Sequence, residues 1–138
     1  MSDMAIDRVR QFDAILKTMP QVDIETSHVI HAGMYSRTIM IPAGTILTGV
    51  LIKIATIVII SGDVTAYIDG KPVEFHGYNI LAASAKRKQA FLAHTDTHVT
   101  MIFPSSAVSI DEAEEQFTDE FDLLMSHHCD NKINITGE

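Results

Sequence analysis

The stretch GTILTGVLIKIATIVIISGD, residues 44–63, constrains the fold of this chain more than any other feature. It follows a Pro-Ala turn, runs apolar and β-branched for most of its length, and closes on Ser-Gly-Asp, a pattern of strand bounded by turn chemistry. From residue 28 to 104 the same pattern recurs: MYSRTIMI, PAG, TILTGVLIKI, TIVII, SGD, VTAYI, DGKP, VEF, HGYN, ILAA, SAKRK, QAFLAH, TDT and HVTMIF. Runs this short, with Asp69-Gly70 as a tight hairpin turn, predict an antiparallel sandwich or barrel. The flanks have another period. Ile6, Val9, Phe12, Leu16 and Met19 recur at three- and four-residue steps before Pro20, which predicts an amphipathic helix over 3–19 capped by Ser2 or Asp3. Ser109 with Glu112 reads as a capping box, and Ala113, Phe117, Phe121 and Leu124 form the apolar stripe of a second, acidic helix over 109–126. Residues 127–138 read as a polar tail. The expected order is helix, all-β body, helix, in one domain.

Composition narrows the function. With 138 residues, 46% of them hydrophobic, the chain can build one sizeable core without disulfides. Cys129 is the single cysteine, which rules out an intramolecular disulfide and agrees with a reducing compartment. Lys53 interrupts the longest apolar run, and the start MSDMAIDRVR lacks the apolar core of a secretory signal, so a cytoplasmic protein without a membrane partner is expected. The net charge of −8 is uneven. Residues 110–138 carry nine acids against Lys132 alone, whereas residues 32–109 are weakly basic. A chain without a broad basic face is a poor non-specific binder of nucleic acid. Its basic middle suits a small anion.

The middle of the chain, about residues 31–104, resembles the cupin family of small jelly-roll barrels. IPAGT at 41–45 leading into a strand, IISGDVTAYIDGK at 59–71 and GYNILAASAKRK at 77–88 carry the resemblance, which is nearest to the short single-domain cupins of bacteriophage genomes. It implies an all-β, cupin-like antiparallel jelly-roll barrel over 28–104 with a helix at each end. Cupins typically supply metal ligands as His-x-His and Glu in a first block and His in a second. Counted from Gly62, the Glu position falls at Ala55 and the paired histidines between Thr48 and Ile52; counted from Gly77, the second histidine falls on or beside Lys88. None of these is a ligand type. A divalent ion needs several donors converging from different strands, so no metal and no other cofactor is expected.

The remaining candidates are polar side chains near the barrel. Alternation on MYSRTIMI puts Tyr35 and Arg37 on one face, where they offer a phenol and a planar bidentate cation; Arg37 in solvent is the plain alternative. Lys53 lies between isoleucines and either points outward or enters the cavity as a desolvated amine. Lys86-Arg87-Lys88 is the chain's one cluster of three cations, and Lys88 reaches the cavity mouth if the run is not merely a solvated loop. In HTDTH the segment TDT reads as a turn separating His94 from His98, which leaves His94 as a polar group at a strand end facing the cavity. His28 and His31 are undecided between ligand and surface roles, and HHCD at 127–130 reads as a frayed helix end. The expected function is a metal-independent cupin-like protein that holds or sequesters a small anionic or nucleotide-like ligand through Tyr35, Arg37, Lys53, Lys88 and His94, with a phage-encoded regulator of a host pathway as one form that the resemblance implies. Two alternatives are a metal-free isomerase or lyase using Tyr35, Lys53 or His94 for proton transfer, and a factor that presents its acidic C-terminal helix to a host protein. Exposed strand edges and helix stripes predict a homodimer.

Overall fold

The computed structural model describes residues 2–16, 24–124 and 131–135. The chain begins with helix α1, Asp3–Leu16, and then enters strands β1, Glu25–His31, and β2, Met34–Ile41. Ala32 and Gly33 join these two with φ of 52° and 72°, the left-handed pair that a two-residue hairpin requires. Strands β3 (Ile46–Thr48), β4 (Thr56–Ser61), β5 (Val64–Ile68) and β6 (Lys71–Phe75) follow, then β7 (Tyr78–Ala83), β8 (Ala90–Ala93) and β9 (Thr97–Pro104). Asp69-Gly70 turns β5 into β6 with φ of 52° and 79°, as its sequence predicts. Helix α2, Ile110–Phe117, a single 3-10 turn, Phe121–Leu123, and strand β10, Asn131–Ile135, complete the described elements.

Two sheets result. The larger has the order β10-β1-β2-β9-β4-β7 and the smaller β3-β8-β5-β6, with every pairing antiparallel except β1 with β10. The jelly-roll arrangement is present, but hydrogen bonds do not close the expected barrel. Among the described residues one isolated bridge, Ile52 to Arg87, ties together the two segments that cross between the sheets, β3 to β4 and β7 to β8. Inward residues of both sheets form one core, in which Ile41, Val58 and Ile60 meet Val64, Ala66, Phe91 and Ala93. A second core lies at the other end, where Tyr35, Met101 and Phe103 of the larger sheet pack with Ala113 and Phe117 of α2 and with Leu124. Burying a side chain such as Phe117 contributes roughly 1.5–3 kcal/mol, enough to dock so short a helix. Helix α1 buries Ala5, Ile6 and Val9. It is tied to the smaller sheet's side of the molecule by Ser2 N to Asp69 Oδ1 at 2.8 Å, Lys86 to Asp3 at 2.6 Å, and Thr48 donating to Asp13.

Three expectations are corrected. The run TILTGVLIKIATIVII is not continuous strand: residues 49–55 cross from one sheet to the other. Their amides are satisfied by Gln89 O for Gly49 (2.9 Å), Glu120 Oε1 for Leu51 (2.7 Å) and Phe117 O for Lys53 (2.8 Å). The helix expected over 109–126 stops at Phe117, because Thr118 turns extended (φ −150°, ψ 147°) and the Phe117 carbonyl is given to Lys53. Half of the capping box is present at Ser109, its hydroxyl accepting from Glu112 N at 3.3 Å, while the Glu112 carboxylate accepts from Val108 N at 3.4 Å. Within the polar tail, Asn131–Ile135 pairs in parallel with β1, Thr26 opposite Asn131 through Ile30 opposite Ile135. HHCD at 127–130 lies outside the described residues. No helix among the described residues is long and apolar enough to cross a membrane.

Candidate functional site

A cavity of about 130 Å³ opens between the sheets beneath α2 and the 3-10 turn. Strand β2 delivers Arg37 and Ile39 to it, β4 delivers Val58, β9 Val99 and Met101, and β8 Phe91. Alternation accounts for Arg37: Tyr35, Arg37 and Ile41 are the buried positions of β2, so the predicted face is the inner one. The other guanidinium on the wall belongs to Arg87. Lys86 takes a left-handed φ of 56°, which turns its own side chain outward and carries both Arg87 and Lys88 into the interior, at 3% and 2% exposure.

The two arginines are held differently. Arg37 Nη1 donates to Glu114 Oε2 of α2 at 3.3 Å, with both side chains buried, and its guanidinium lies 5.8 Å from the centre of the Phe117 ring. Arg87 Nη1 donates to the carbonyls of Ile54 (3.0 Å) and Ser84 (2.7 Å), and Nη2 to Thr56 Oγ1 (2.7 Å) and Met101 Sδ (3.6 Å). Burial lowers the Arg87 pKa to about 10, which leaves it cationic at neutral pH.

The structure brings one of the five sequence-derived candidates, Arg37, to the cavity wall. Tyr35 stands behind that wall, fully buried, with its hydroxyl 2.8 Å from His28 Nδ1 and its ring against Phe103 and Phe117. Burial raises its phenol to about 12. Lys88 is also behind the wall, where Nζ donates to Gly49 O at 2.8 Å and lies 3.9 Å from Glu120, fastening the crossing segment to the loop after α2. Lys53 points to the surface and pairs with Asp119 at 2.8 Å. His94 is exposed at the end of β8, with Nε2 2.7 Å from Thr65 Oγ1 and 3.8 Å from Glu74. Neither lines the cavity: the crossing segment turns Lys53 out, and the TDT turn sends His94 and His98 to different sheets. His28 is buried and His31 exposed. Sequence reasoning missed Arg87, whose signal was the cluster Lys86-Arg87-Lys88, and Glu114, whose acidic neighbours hid it.

Cupin metal chemistry does not fit this wall. The residues at the family's first-block ligand positions, Thr48 to Ile52, contribute one hydroxyl and otherwise apolar or backbone groups. Among the described residues the lining has neither carboxylate nor imidazole, and Arg37 is already paired with Glu114, so the uncompensated charge on the wall is the Arg87 guanidinium, which repels a cation. Among the described residues no group of three or more His, Cys, Asp or Glu converges as a metal site. The donors instead suit an anion: buried guanidinium groups in an apolar surround bind carboxylate strongly and with fixed geometry.

No family model matches the chain, and no curated protein matches it by sequence. Solved structures do. A cupin superfamily protein from Desulfitobacterium hafniense aligns over 67% of this chain and 88% of its own, at 9% identity and a TM-score of 0.50. KdgF from a Halomonas species aligns over 64% and 84% respectively, at 12% identity and a TM-score of 0.51. Salicylate 1,2-dioxygenase from Pseudaminobacter salicylatoxidans aligns over 81% of this chain and 35% of its own, at 13% identity and a TM-score of 0.52. The chain therefore has the cupin jelly-roll fold. At these identities the likeness is one of fold alone.

Proposed function

We propose that this protein is a binding module that holds a small organic anion in the cavity between its sheets, without a metal. The observation that carries this reading is the cavity wall itself, where Arg37 and Arg87 stand among Ile39, Val58, Phe91 and Val99. Aliphatic side chains around the guanidinium groups lower the local dielectric, so a guanidinium–carboxylate contact is worth more there than at the surface. A volume of about 130 Å³ favours a small molecule over a nucleotide-like one. Binding is favoured over proton transfer because Lys53 and His94 lie away from the cavity and Tyr35 behind its wall. Mass spectrometry of the small molecules released from the purified protein, with elemental analysis alongside, tests the reading. An organic anion near one equivalent is the expected result; stoichiometric zinc, iron, nickel or manganese would overturn it.

A further inference from the structure

The two guanidinium groups of the cavity differ in charge balance, and that difference specifies the ligand. Arg37 faces Glu114 at 3.3 Å within the protein, so this pair adds no net charge to the site. Arg87 is 3% exposed, yet its acceptors are two carbonyls, one hydroxyl and one thioether, all neutral. Among the described residues no carboxylate lies within ion-pair distance of it. A buried charge without a counter-charge is costly, and the fold has accepted that cost at a cavity wall. The weakest of the four acceptors is Met101 Sδ, 3.6 Å from Nη2, and Met101 is itself part of the wall. A carboxylate oxygen entering the cavity would take the thioether's place and supply the missing charge.

The rest of the wall sets the ligand's body. Leu47, Val58, Phe91 and Val99 present aliphatic and aromatic surface around about 130 Å³. A cavity of roughly 150 Å³ lined by such residues accommodates benzene. We propose that the cavity takes a monocarboxylate with an apolar body about the size of a benzene ring, aromatic or branched aliphatic, and that Arg87 is the residue on which its carboxylate sits. This rests on the reading of the cavity as an anion site and narrows it to one negative charge. A dianion would bury a second charge that Arg37, already matched by Glu114, does not compensate.

Isothermal titration of the full chain with benzoate, 3-methylbutanoate, benzamide, phthalate and inorganic phosphate tests the proposal without any variant. At least one of the two monocarboxylates binds saturably, whereas benzamide, the neutral isostere of benzoate, and phthalate bind at least tenfold more weakly, and phosphate gives no heat. Arg87→Lys weakens the monocarboxylate at least tenfold. Val99→Phe, which fills the cavity and leaves Arg87 in place, abolishes binding while the far-ultraviolet circular dichroism spectrum is retained. Benzamide equal to benzoate would overturn the role of charge. Phthalate or phosphate binding as tightly as a monocarboxylate, or alone, would overturn the single-charge proposal and leave the anion site standing. If none of the anions binds, the proposal and the reading beneath it both fall.

Discussion

The ion pair between Arg37 and Glu114 joins α2 to the cavity wall beside the Phe117 contact, and its strength can be measured by a double-mutant cycle. At 3.3 Å and an effective dielectric constant of 20, two unit charges attract by roughly 5 kcal/mol. Removing one partner of a buried pair typically costs about 3–5 kcal/mol, because the other charge is left in a medium that solvates it poorly. Both side chains are almost wholly inaccessible here, at 9% and 1% exposure, so this regime applies and not that of surface pairs. Arg37→Met and Glu114→Met should each therefore destabilise the fold by about 3–5 kcal/mol. The double variant replaces the pair by apolar side chains, which is often neutral or stabilising, so it should be more stable than either single variant and yield a coupling above about 3 kcal/mol. Urea unfolding at pH 7, followed by circular dichroism, reads all four stabilities. A coupling below about 1 kcal/mol is the value of an exposed pair and would mean that α2 does not bury Glu114 against β2.

Three further outcomes are expected. Gly62 has φ of +138°, and a Cβ there would stand 2.5 Å from Thr97 Oγ1 and 2.9 Å from Thr97 Cα, so Gly62→Ala should lower stability by about 1–3 kcal/mol; an unchanged thermal midpoint would refute the close approach. Burial raises Tyr35 from 10.0 to about 12, so the unfolded chain loses this proton first and the stability it contributes is intact below pH 10 and lost as pH rises toward 12. Across that window the wild type should lose on the order of 2–3 kcal/mol more than Tyr35→Phe, and parallel pH profiles would refute it. Ile57, Tyr78 and Ile80 on β4 and β7 are exposed at 51%, 66% and 63%, which supports the homodimer expected from the sequence; light scattering should give a dimer that Ile57→Asp with Ile80→Asp converts to monomer, and a wild type that is monomeric throughout would refute it.

Much of the fold was legible because its information is local. The period of MYSRTIMI places Tyr35, Arg37 and Ile41 on one face whatever lies opposite, and Asp69-Gly70 forms its turn from backbone preference alone. The failures are long-range. Residues 49–55 carry β-branched side chains, but their amides are taken by Gln89, Arg87, Phe117 and Glu120, so tertiary partners override strand propensity. For the same reason the stripe from Ala113 to Leu124 reads as one helix and folds as two pieces: Phe117 gives its carbonyl to Lys53, while Phe117 and Leu124 reach the same core from different backbone directions. The short run Asn131–Ile135 has strand periodicity too weak to announce a partner 105 residues earlier, at Thr26.

The site was legible only by residue type. Cations near the second cupin block pointed to an anion, yet which of Lys86, Arg87 and Lys88 faces the cavity depends on a single left-handed residue, Lys86, that no alternation rule anticipates. Charge is still less local. Arg37 and Arg87 are equivalent letters in the sequence, and both are buried at the cavity wall. They differ because Glu114, 77 residues from Arg37, arrives on a helix whose docking depends on Phe117. An arginine's availability to a ligand is therefore a property of its counter-charge, and in this fold α2 supplies that counter-charge to Arg37 while the neutral acceptors around Arg87 leave its charge to be met from outside.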